Sequence, residues 1–474
     1  MRCSLVALLW LVCTCAWAQE GGLQAELRGE KTRVGDACGA FSFKAVPGCA
    51  IELFTDHPLH IAVGSIAPKN GFGFGAAFVN SKNITNWRLS WDVDAVASIN
   101  ASWRAGAYMK LVHTPVIQIK PVVHQPGETS AASTKKPKKT NLAVHPYTVF
   151  NLYAQSISLN KLDFFGLGND STLAGQSLYG MTQTIVGTSV IKPVYEWPAI
   201  SKLNLALLGE VNGRFVSIRG EHGESTPSIE TLYTDATAPG LTSQPGFVQM
   251  GEGLRIKPVI ADRLQLNYMA NFQQFFAPSS STNSFLRWTT DLTHTFYLYG
   301  YTQSAPKNTD PTGPDECAPT GETCPDISHS RNLNGSVGFR LLLSESINSA
   351  TSAVPFYFQP TLGGSDVNGA PALSSYQDYR FRAPNILLLR ESFEHSLWGP
   401  FGVNFMADQG KVALARGDIG FDHLKHSYAA GFTLRAGGFP QVFLLFAWGG
   451  NEGHHTITNV NTSLLGGSQR PSLY

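Results

Sequence analysis

The strongest constraint on the fold is a period-two alternation of apolar and polar residues over Trp87–Ser98. Its odd positions are all apolar, and its even positions are polar or charged except Val96. Side chains of a β-strand point alternately to its two faces, so the pattern predicts a strand with one apolar face. After a short turn near Ile99 and Asn100, the alternation resumes over 101–111. Two long strands with a tight connection are typical of a transmembrane β-hairpin.

The same alternation recurs at 202–215, 263–273, 286–298 and 336–343. Strands of soluble β-sandwiches average about 5 to 6 residues, which is shorter than these. Charged residues on the polar faces would be costly in a dry core but suit a water-filled lumen. They include Arg88, Asp92, Asp94, Arg104, Glu210, Arg214 and Arg287. We therefore predict an all-β fold, a transmembrane antiparallel β-barrel of about 16 strands. A large periplasmic β-protein is the alternative.

Composition agrees with a barrel in the outer membrane. Charged residues make up 15% of the chain, against about 25% in ordinary soluble domains. No run of 18 apolar residues follows the first residues, which excludes transmembrane helices. The net charge of +1 gives no reason to expect nucleic acid as a partner.

The N-terminus predicts export. Arg2, the apolar stretch 5–14 and the small-x-small site Ala16-Trp17-Ala18 together form a signal peptide over 1–18. A membrane anchor is the alternative, but the stretch is shorter than the roughly 20 residues that span a bilayer. We expect residues 19–58 to be a lead-in segment and 59–474 to be the barrel.

Four cysteines remain after signal cleavage, in two close pairs. In an oxidising compartment, Cys38 with Cys49 and Cys317 with Cys324 are the expected disulfides. A metal site is the alternative, although neither pair has the C-x-x-C spacing.

Two long connections, 113–142 and 303–331, lack apolar patterning. Barrels carry long loops outside the cell and short turns on the periplasmic side, so we predict both outside. The lysine run in 135–139 suits either binding of lipopolysaccharide phosphates or a simple solvated loop. Outer-membrane lipid and lipopolysaccharide are the expected surroundings.

Several stretches resemble the BamA/TamA superfamily of outer-membrane assembly and secretion barrels, also called bacterial surface antigens. They are Asp163-Phe164-Phe165-Gly166-Leu167-Gly168-Asn169-Asp170-Ser171, Ser284-Phe285-Leu286-Arg287, the segment 373–382 and Met406-Ala407-Asp408-Gln409-Gly410-Lys411-Val412. The resemblance is densest over 354–465 and scattered back to about residue 160. It implies a loop near the C-terminus that folds into the lumen.

The resemblance also implies a lock between that loop and the barrel wall. In the family, an arginine at the loop tip pairs with the aspartate of a later strand. Here Ser374 and Ser375 stand at the Arg-Gly positions, so Asp408 lacks its expected partner, and we expect Arg380 or Arg382 to replace it. The residues expected to form this loop-to-wall lock are Tyr376, Asp378, Arg380, Arg382, Asp408 and Gly410. A purely structural role for all six is the alternative.

The function implied by the resemblance is outer-membrane protein assembly, polypeptide secretion or lipid export. A client polypeptide or lipid would then be a partner. We expect no periplasmic polypeptide-transport domain before the barrel, so client capture in the periplasm would need a separate partner protein. The alternative is a passive, porin-like channel for small solutes.

An outer-membrane enzyme is a third possibility, which the motifs do not favour. Neither Gly-x-Ser-x-Gly nor His-Glu-x-x-His occurs. The glycine-rich segment 71–75 has period two, as in a strand with glycines on one face, and does not form a phosphate-binding turn. We predict no enzyme activity, no cofactor and no metal.

Overall fold

A computed structural model describes the chain at residue 32 and over residues 58–113, 147–194, 203–221, 224–261, 263–304, 330–398, 401–436, 439–450, 452–460 and 471–473. The predicted signal peptide, nearly all of the lead-in segment and the four cysteines Cys38, Cys49, Cys317 and Cys324 lie outside the described residues. These remain predictions. No helix in the described ranges is long and apolar enough to cross a membrane.

One antiparallel sheet of 16 strands makes up the fold, with each strand paired to its neighbours in chain order. Its strands are β1 (Leu59–Ser65), β2 (Phe72–Ile84), β3 (Trp87–Ser98), β4 (Trp103–His113), β5 (Val149–Phe164), β6 (Ser177–Val194), β7 (Leu205–Gly220), β8 (Phe247–Ile256), β9 (Leu264–Phe276), β10 (Phe285–Ser304), β11 (Ser330–Ile347), β14 (Asn385–Trp398), β15 (Phe401–Ala413), β16 (Lys425–Ala436), β17 (Phe439–Trp448) and β18 (His455–Val460). A two-stranded sheet, β12 (Thr361–Leu362) and β13 (Phe381–Arg382), lies between β11 and β14. The predicted all-β fold of about 16 antiparallel strands is confirmed.

The two faces of the sheet differ as the alternation predicts. In β7, Phe215 is 57% exposed whereas the adjacent Arg214 is 1% exposed. Large apolar side chains are likewise exposed on β2 and β16, including Phe74 at 60% and Phe432 at 56%. A continuous outward-facing apolar surface of this kind is suited to lipid. The inward-facing residues surround a lumen.

The sheet curls until β1 and β18 lie beside each other. Within their described residues no backbone hydrogen-bonded pairing joins them, whereas the other strands that are adjacent in the sheet are paired. We call this boundary the seam.

Connections leave the strands at two ends of the barrel, and residues 348–384 lie at the end that we call the loop end. At the opposite end, residues 85–86 connect β2 to β3. Strands β4 and β10 end, and β5 and β11 begin, at that same opposite end. Most of the two long segments 113–142 and 303–331 lies outside the described residues, and their location outside the cell stays a prediction.

Candidate functional site: the loop in the lumen

Residues 348–384, the inward loop, leave β11 and return to the wall at β14. Most of their side chains from Val354 to Ala383 are buried, and Phe356, Tyr357 and Phe358 are 0–3% exposed. These three aromatic residues belong to one buried apolar cluster with wall residues of β4 to β10. The inward-folded loop predicted near the C-terminus is therefore confirmed, and it fills the lumen at this level.

The aromatic side chains of the loop fit between those of the wall. The Phe358 ring lies 4.9 Å from the Phe247 ring at 89°, and the Phe356 ring lies 5.3 Å from the Phe164 ring at 66°. Edge-to-face pairs at these distances each contribute about 0.5–1.5 kcal/mol beyond their buried area. Phe275 extends the contact, with its ring 5.3 Å from that of Phe358. The loop is thus packed against several strands at once.

Two buried arginines satisfy backbone carbonyls of this aromatic segment. Arg287 of β10 donates to the Phe358 carbonyl. Arg382 donates from Nη1 to the Phe356 carbonyl at 2.8 Å and from Nη2 to the Tyr179 hydroxyl at 3.2 Å. A charged donor forms a stronger hydrogen bond to a carbonyl than a neutral donor does. Arg382 therefore connects the loop to the wall at β6.

Asp408 on β15 has a partner that the sequence did not suggest. Arg390, directly opposite on β14, donates from Nε to Oδ1 at 2.7 Å and from Nη2 to Oδ2 at 2.9 Å. The expectation that Arg380 or Arg382 pairs with Asp408 is wrong, because both guanidinium groups bind elsewhere. Asp408 still holds the loop, since Oδ2 accepts a hydrogen bond from the Leu373 backbone N–H at 2.9 Å.

At the loop tip, two serines stand at the positions where the resembled family has Arg-Gly. Ser374 and Ser375 are buried, and the Ser375 backbone N–H donates to the Ser427 hydroxyl of β16 at 2.8 Å. The Tyr376 ring packs 5.0 Å from the Phe381 ring, edge to face. Small side chains at the two serine positions let the backbone approach the wall this closely.

Gly410 provides the space for this approach. A Cβ at Gly410 would lie 3.0 Å from Cδ1 of Leu362 in the loop and 3.1 Å from the Leu387 carbonyl oxygen. Leu362 is itself buried with Tyr376 and Phe381 in a second apolar cluster. The glycine on β15 and the leucine of the loop are therefore complementary in shape.

Asp378 binds within the inward loop, and Arg380 binds the turns that connect wall strands; neither contacts β15. Oδ1 of Asp378 accepts from the Ser365 backbone N–H at 2.8 Å, and burial raises the pKa of this carboxyl. Arg380 pairs with Glu452 in the turn between β17 and β18, with Nη2 to Oε1 at 2.7 Å. Arg380 also donates to the Ser171 carbonyl at 2.7 Å.

The six predicted residues therefore do not form one lock. Asp408 and Gly410 contact the loop from β15, Arg382 binds the wall at β6, and Arg380 binds connecting turns. Tyr376 and Asp378 bind within the loop, to Phe381 and Ser365. Sequence reasoning missed Arg390, Ser427 and Glu452. For Arg390, a signal existed, because it is the charged residue that ends the apolar run 386–389.

The charged residues expected in a wet lumen are largely enclosed. Asp92, Asp94, Arg104, Arg214 and Arg287 are each 1–4% exposed. They do face inward as predicted, but they do not line an open aqueous channel. Among the described residues, no group of three or more His, Cys, Asp or Glu side chains is placed to hold a metal ion.

No protein-family model and no curated protein matches the chain. Solved structures do: CdiB from Escherichia coli (TM-score 0.49, 11% identity, 86% of this chain and 63% of that one) and CdiB from Acinetobacter baumannii (0.45, 10%, 84% and 58%). BamA from Haemophilus ducreyi lacking POTRA domains 1–3 also matches (0.44, 10%, 85% and 69%). The chain spans 58–69% of their lengths.

The barrel architecture follows from the chain itself. Sixteen antiparallel strands, an apolar outer face and an enclosed polar inner face are the features of an outer-membrane β-barrel.

Proposed function

We propose that this chain is an outer-membrane barrel of the BamA/TamA type that acts in membrane-protein assembly, polypeptide secretion or lipid export. The observation that supports this is a lumen filled by a loop that is bound to the wall at several strands. A barrel built only to pass solutes needs no such plug. The action would be mechanical, with a client polypeptide or lipid as the partner.

The seam between β1 and β18 offers the place for a client. Backbone N–H and C=O groups at a strand edge that opens can pair with an incoming strand. Such pairing would let a client strand add to the barrel within the membrane.

Conductance separates this proposal from the passive channel. We would record planar-bilayer currents of the intact barrel and of a variant in which 349–383 are replaced by a short Gly-Ser linker. The linker is feasible because Ser344 and Ile386 are paired across β11 and β14. A variant with the exposed turn 416–420 replaced by Gly-Ser is the control.

Low, flickering current that rises only when the inward loop is removed would support a plugged assembly or secretion barrel. Large, steady current from the intact protein would overturn the proposal and indicate a passive channel.

A second experiment tests the assembly activity directly. Proteoliposomes containing the intact barrel would be mixed with a urea-unfolded outer-membrane β-barrel client, and folded client would be followed by its altered gel mobility. Faster folding than in empty liposomes, and no acceleration by the loop-deleted barrel, would support assembly. No acceleration by the intact barrel would leave secretion or lipid export as the remaining forms of the proposal.

A further inference from the structure

We propose that the inward loop closes the seam as well as the lumen, so that the two openings are coupled. Residues 376–380, the seam latch, contact the turns on both sides of the seam at the loop end. This inference rests on the proposed function, in which the seam opens. It adds that the seam cannot open at the loop end while the latch is in place.

The latch holds the β1 side through Tyr379. Its hydroxyl donates to the Pro68 carbonyl at 3.1 Å, and Pro68 lies in the turn between β1 and β2. Tyr379 is 1% exposed and adopts a φ of 61°, a strained conformation for a tyrosine. The strain indicates that the surrounding contacts fix this residue in place.

The turn that receives this bond is itself anchored. The Asn70 side chain donates to the Lys161 carbonyl at 2.8 Å, and its Oδ1 accepts from the Ser102 hydroxyl at 2.8 Å. Lys69 forms an ion pair with Asp163 at the end of β5. A bond to Pro68 therefore ties the latch to a rigid part of the first strands.

The latch holds the β18 side through Arg380. Nε donates to both carboxylate oxygens of Glu452, at 2.8 and 3.0 Å, and the side chains of Arg380 and Glu452 are 3% and 11% exposed. Glu452 lies in the turn from β17 to β18. In the same turn, Gly450 faces the Tyr376 hydroxyl so closely that a Cβ there would come within 2.2 Å of it.

Further contacts hold Arg380 from a third direction, so its side chain is fixed in one conformation. Nη1 donates to the Ser171 hydroxyl at 2.8 Å. The guanidinium carbon lies 5.0 Å from the Phe165 ring and 4.6 Å from the Phe381 ring. Because donors and both ring contacts are in use, moving Glu452 away breaks a fully formed set of interactions.

Coupling follows because the same loop carries both attachments. Phe356 and Phe358 occupy the lumen, and Tyr379 and Arg380 occupy the seam turns some twenty residues later. A movement that withdraws Phe356 and Phe358 from the lumen therefore also strains the contacts of the latch. By thermodynamic linkage, opening of the seam must favour unplugging of the lumen to the same degree as unplugging favours opening of the seam.

The test uses the whole barrel in detergent micelles or bilayers, without a client. Two variants weaken the latch, Glu452→Gln and Tyr379→Phe, and Glu452→Asp is the conservative variant that keeps the charge. Asp291→Asn is the matched control, because Asp291 and Arg340 form a similar two-bond ion pair on the wall, at 3.0 and 2.8 Å.

Two quantities are measured for each variant: backbone amide exchange in β1 and β18, and channel-opening frequency in planar bilayers. We expect Glu452→Gln to raise both by at least tenfold, because it removes the anion of a buried ion pair, with a smaller rise for Tyr379→Phe. The control should change neither, and Glu452→Asp, which keeps the carboxylate, should raise both less than Glu452→Gln.

Faster exchange at the seam with unchanged conductance would overturn the coupling, as would unchanged exchange in both latch variants. Either result would leave the proposed function untouched, since that is tested by client folding. Conversely, if the seam and the lumen open together in a barrel that assembles no client, the coupling holds although the proposed function fails.

Discussion

Arg390 and Asp408 face each other across β14 and β15 and are joined by two hydrogen bonds of 2.7 and 2.9 Å. The same guanidinium donates to the Pro371 carbonyl, and the same carboxylate accepts from the Leu373 N–H. One ion pair of the wall thus supports two backbone groups of the inward loop. The wall therefore holds the loop through its backbone, in addition to the contacts that the loop side chains make.

Replacing Asp408 with Asn should release the loop. The variant leaves the Arg390 guanidinium without its anion in a nearly enclosed site, and breaking a buried pair in this way costs roughly 3–5 kcal/mol. We expect the loop to become accessible to protease and the urea midpoint of the barrel to fall. Limited proteolysis in detergent, with cleavage sites mapped by mass spectrometry, would show whether cuts appear within 348–384.

Asp291→Asn removes an ion pair from the same wall without touching the loop. It should leave the cleavage pattern unchanged. Equal loop accessibility in the two variants, or unchanged barrel stability in Asp408→Asn, would contradict the role assigned to Asp408.

Much of the wall could be predicted from sequence because one face of each strand meets lipid and the other the lumen. The alternation at Trp87–Ser98 matches β3 in its bounds and in the inward position of Asp92 and Asp94. β14 was not recognised as a strand, for a physical reason. Ile386 and Leu388 pack against the loop, so both faces of the strand are apolar and the alternation disappears.

The site was harder to predict than the wall. Arg380 and Glu452 are separated by 72 residues, and no local pattern connects them. The expectation that a loop arginine would bind Asp408 came from the resemblance, whereas the chain supplies that arginine from the neighbouring strand. A cross-strand pair depends on register, which a single sequence does not fix.

Replacing Gly410 with Ala should push the loop away from β15. The new Cβ would lie 3.0 Å from Cδ1 of Leu362 and 3.1 Å from the Leu387 carbonyl, and overpacking of this kind costs about 1–3 kcal/mol. Unfolding in urea, followed by gel mobility of unheated samples, measures the loss. Gly417→Ala is the control, since a Cβ there meets no atom within 4 Å.

A double-mutant cycle with Leu362→Ala identifies the contact. Removing the leucine side chain frees the space that the Cβ needs, so the combined loss should be smaller than the sum of the two single losses. Strict additivity would mean that Gly410 acts through the β15 backbone and not through the loop.

Asp378 should make the unfolding free energy of the barrel depend on pH. Burial raises the pKa of this carboxyl above its usual value, so the folded state favours the protonated form. The hydrogen bond from the Ser365 N–H and the Lys69 ammonium oppose this rise in the pKa, whereas the Asp163 carboxylate adds to it. The stabilisation is complete below the ordinary pKa and is lost as the pH rises through the raised one.

Comparison with Asp378→Asn isolates the contribution of this carboxyl to the pH dependence of stability. The difference in unfolding free energy between wild type and variant should shift against the wild type as the pH increases from about 4 toward neutrality. Urea titrations at several pH values measure it. A difference that grows in favour of the wild type over this range would mean that the carboxylate, and not the acid, is the form that the loop stabilises.

Replacing Tyr357 with Phe should stabilise the plugged barrel. The Tyr357 side chain is 3% exposed, its hydroxyl has no hydrogen-bond partner among the described residues, and burial raises the pKa of the phenol, which stays neutral. A buried hydroxyl without a partner costs about 1–3 kcal/mol in desolvation, so its removal should raise the unfolding free energy. Tyr179→Phe is the matched control, because that equally buried hydroxyl accepts a hydrogen bond from Arg382. Urea midpoints should move in opposite directions for the two variants, and equal losses would show that the Tyr357 hydroxyl is satisfied inside the lumen.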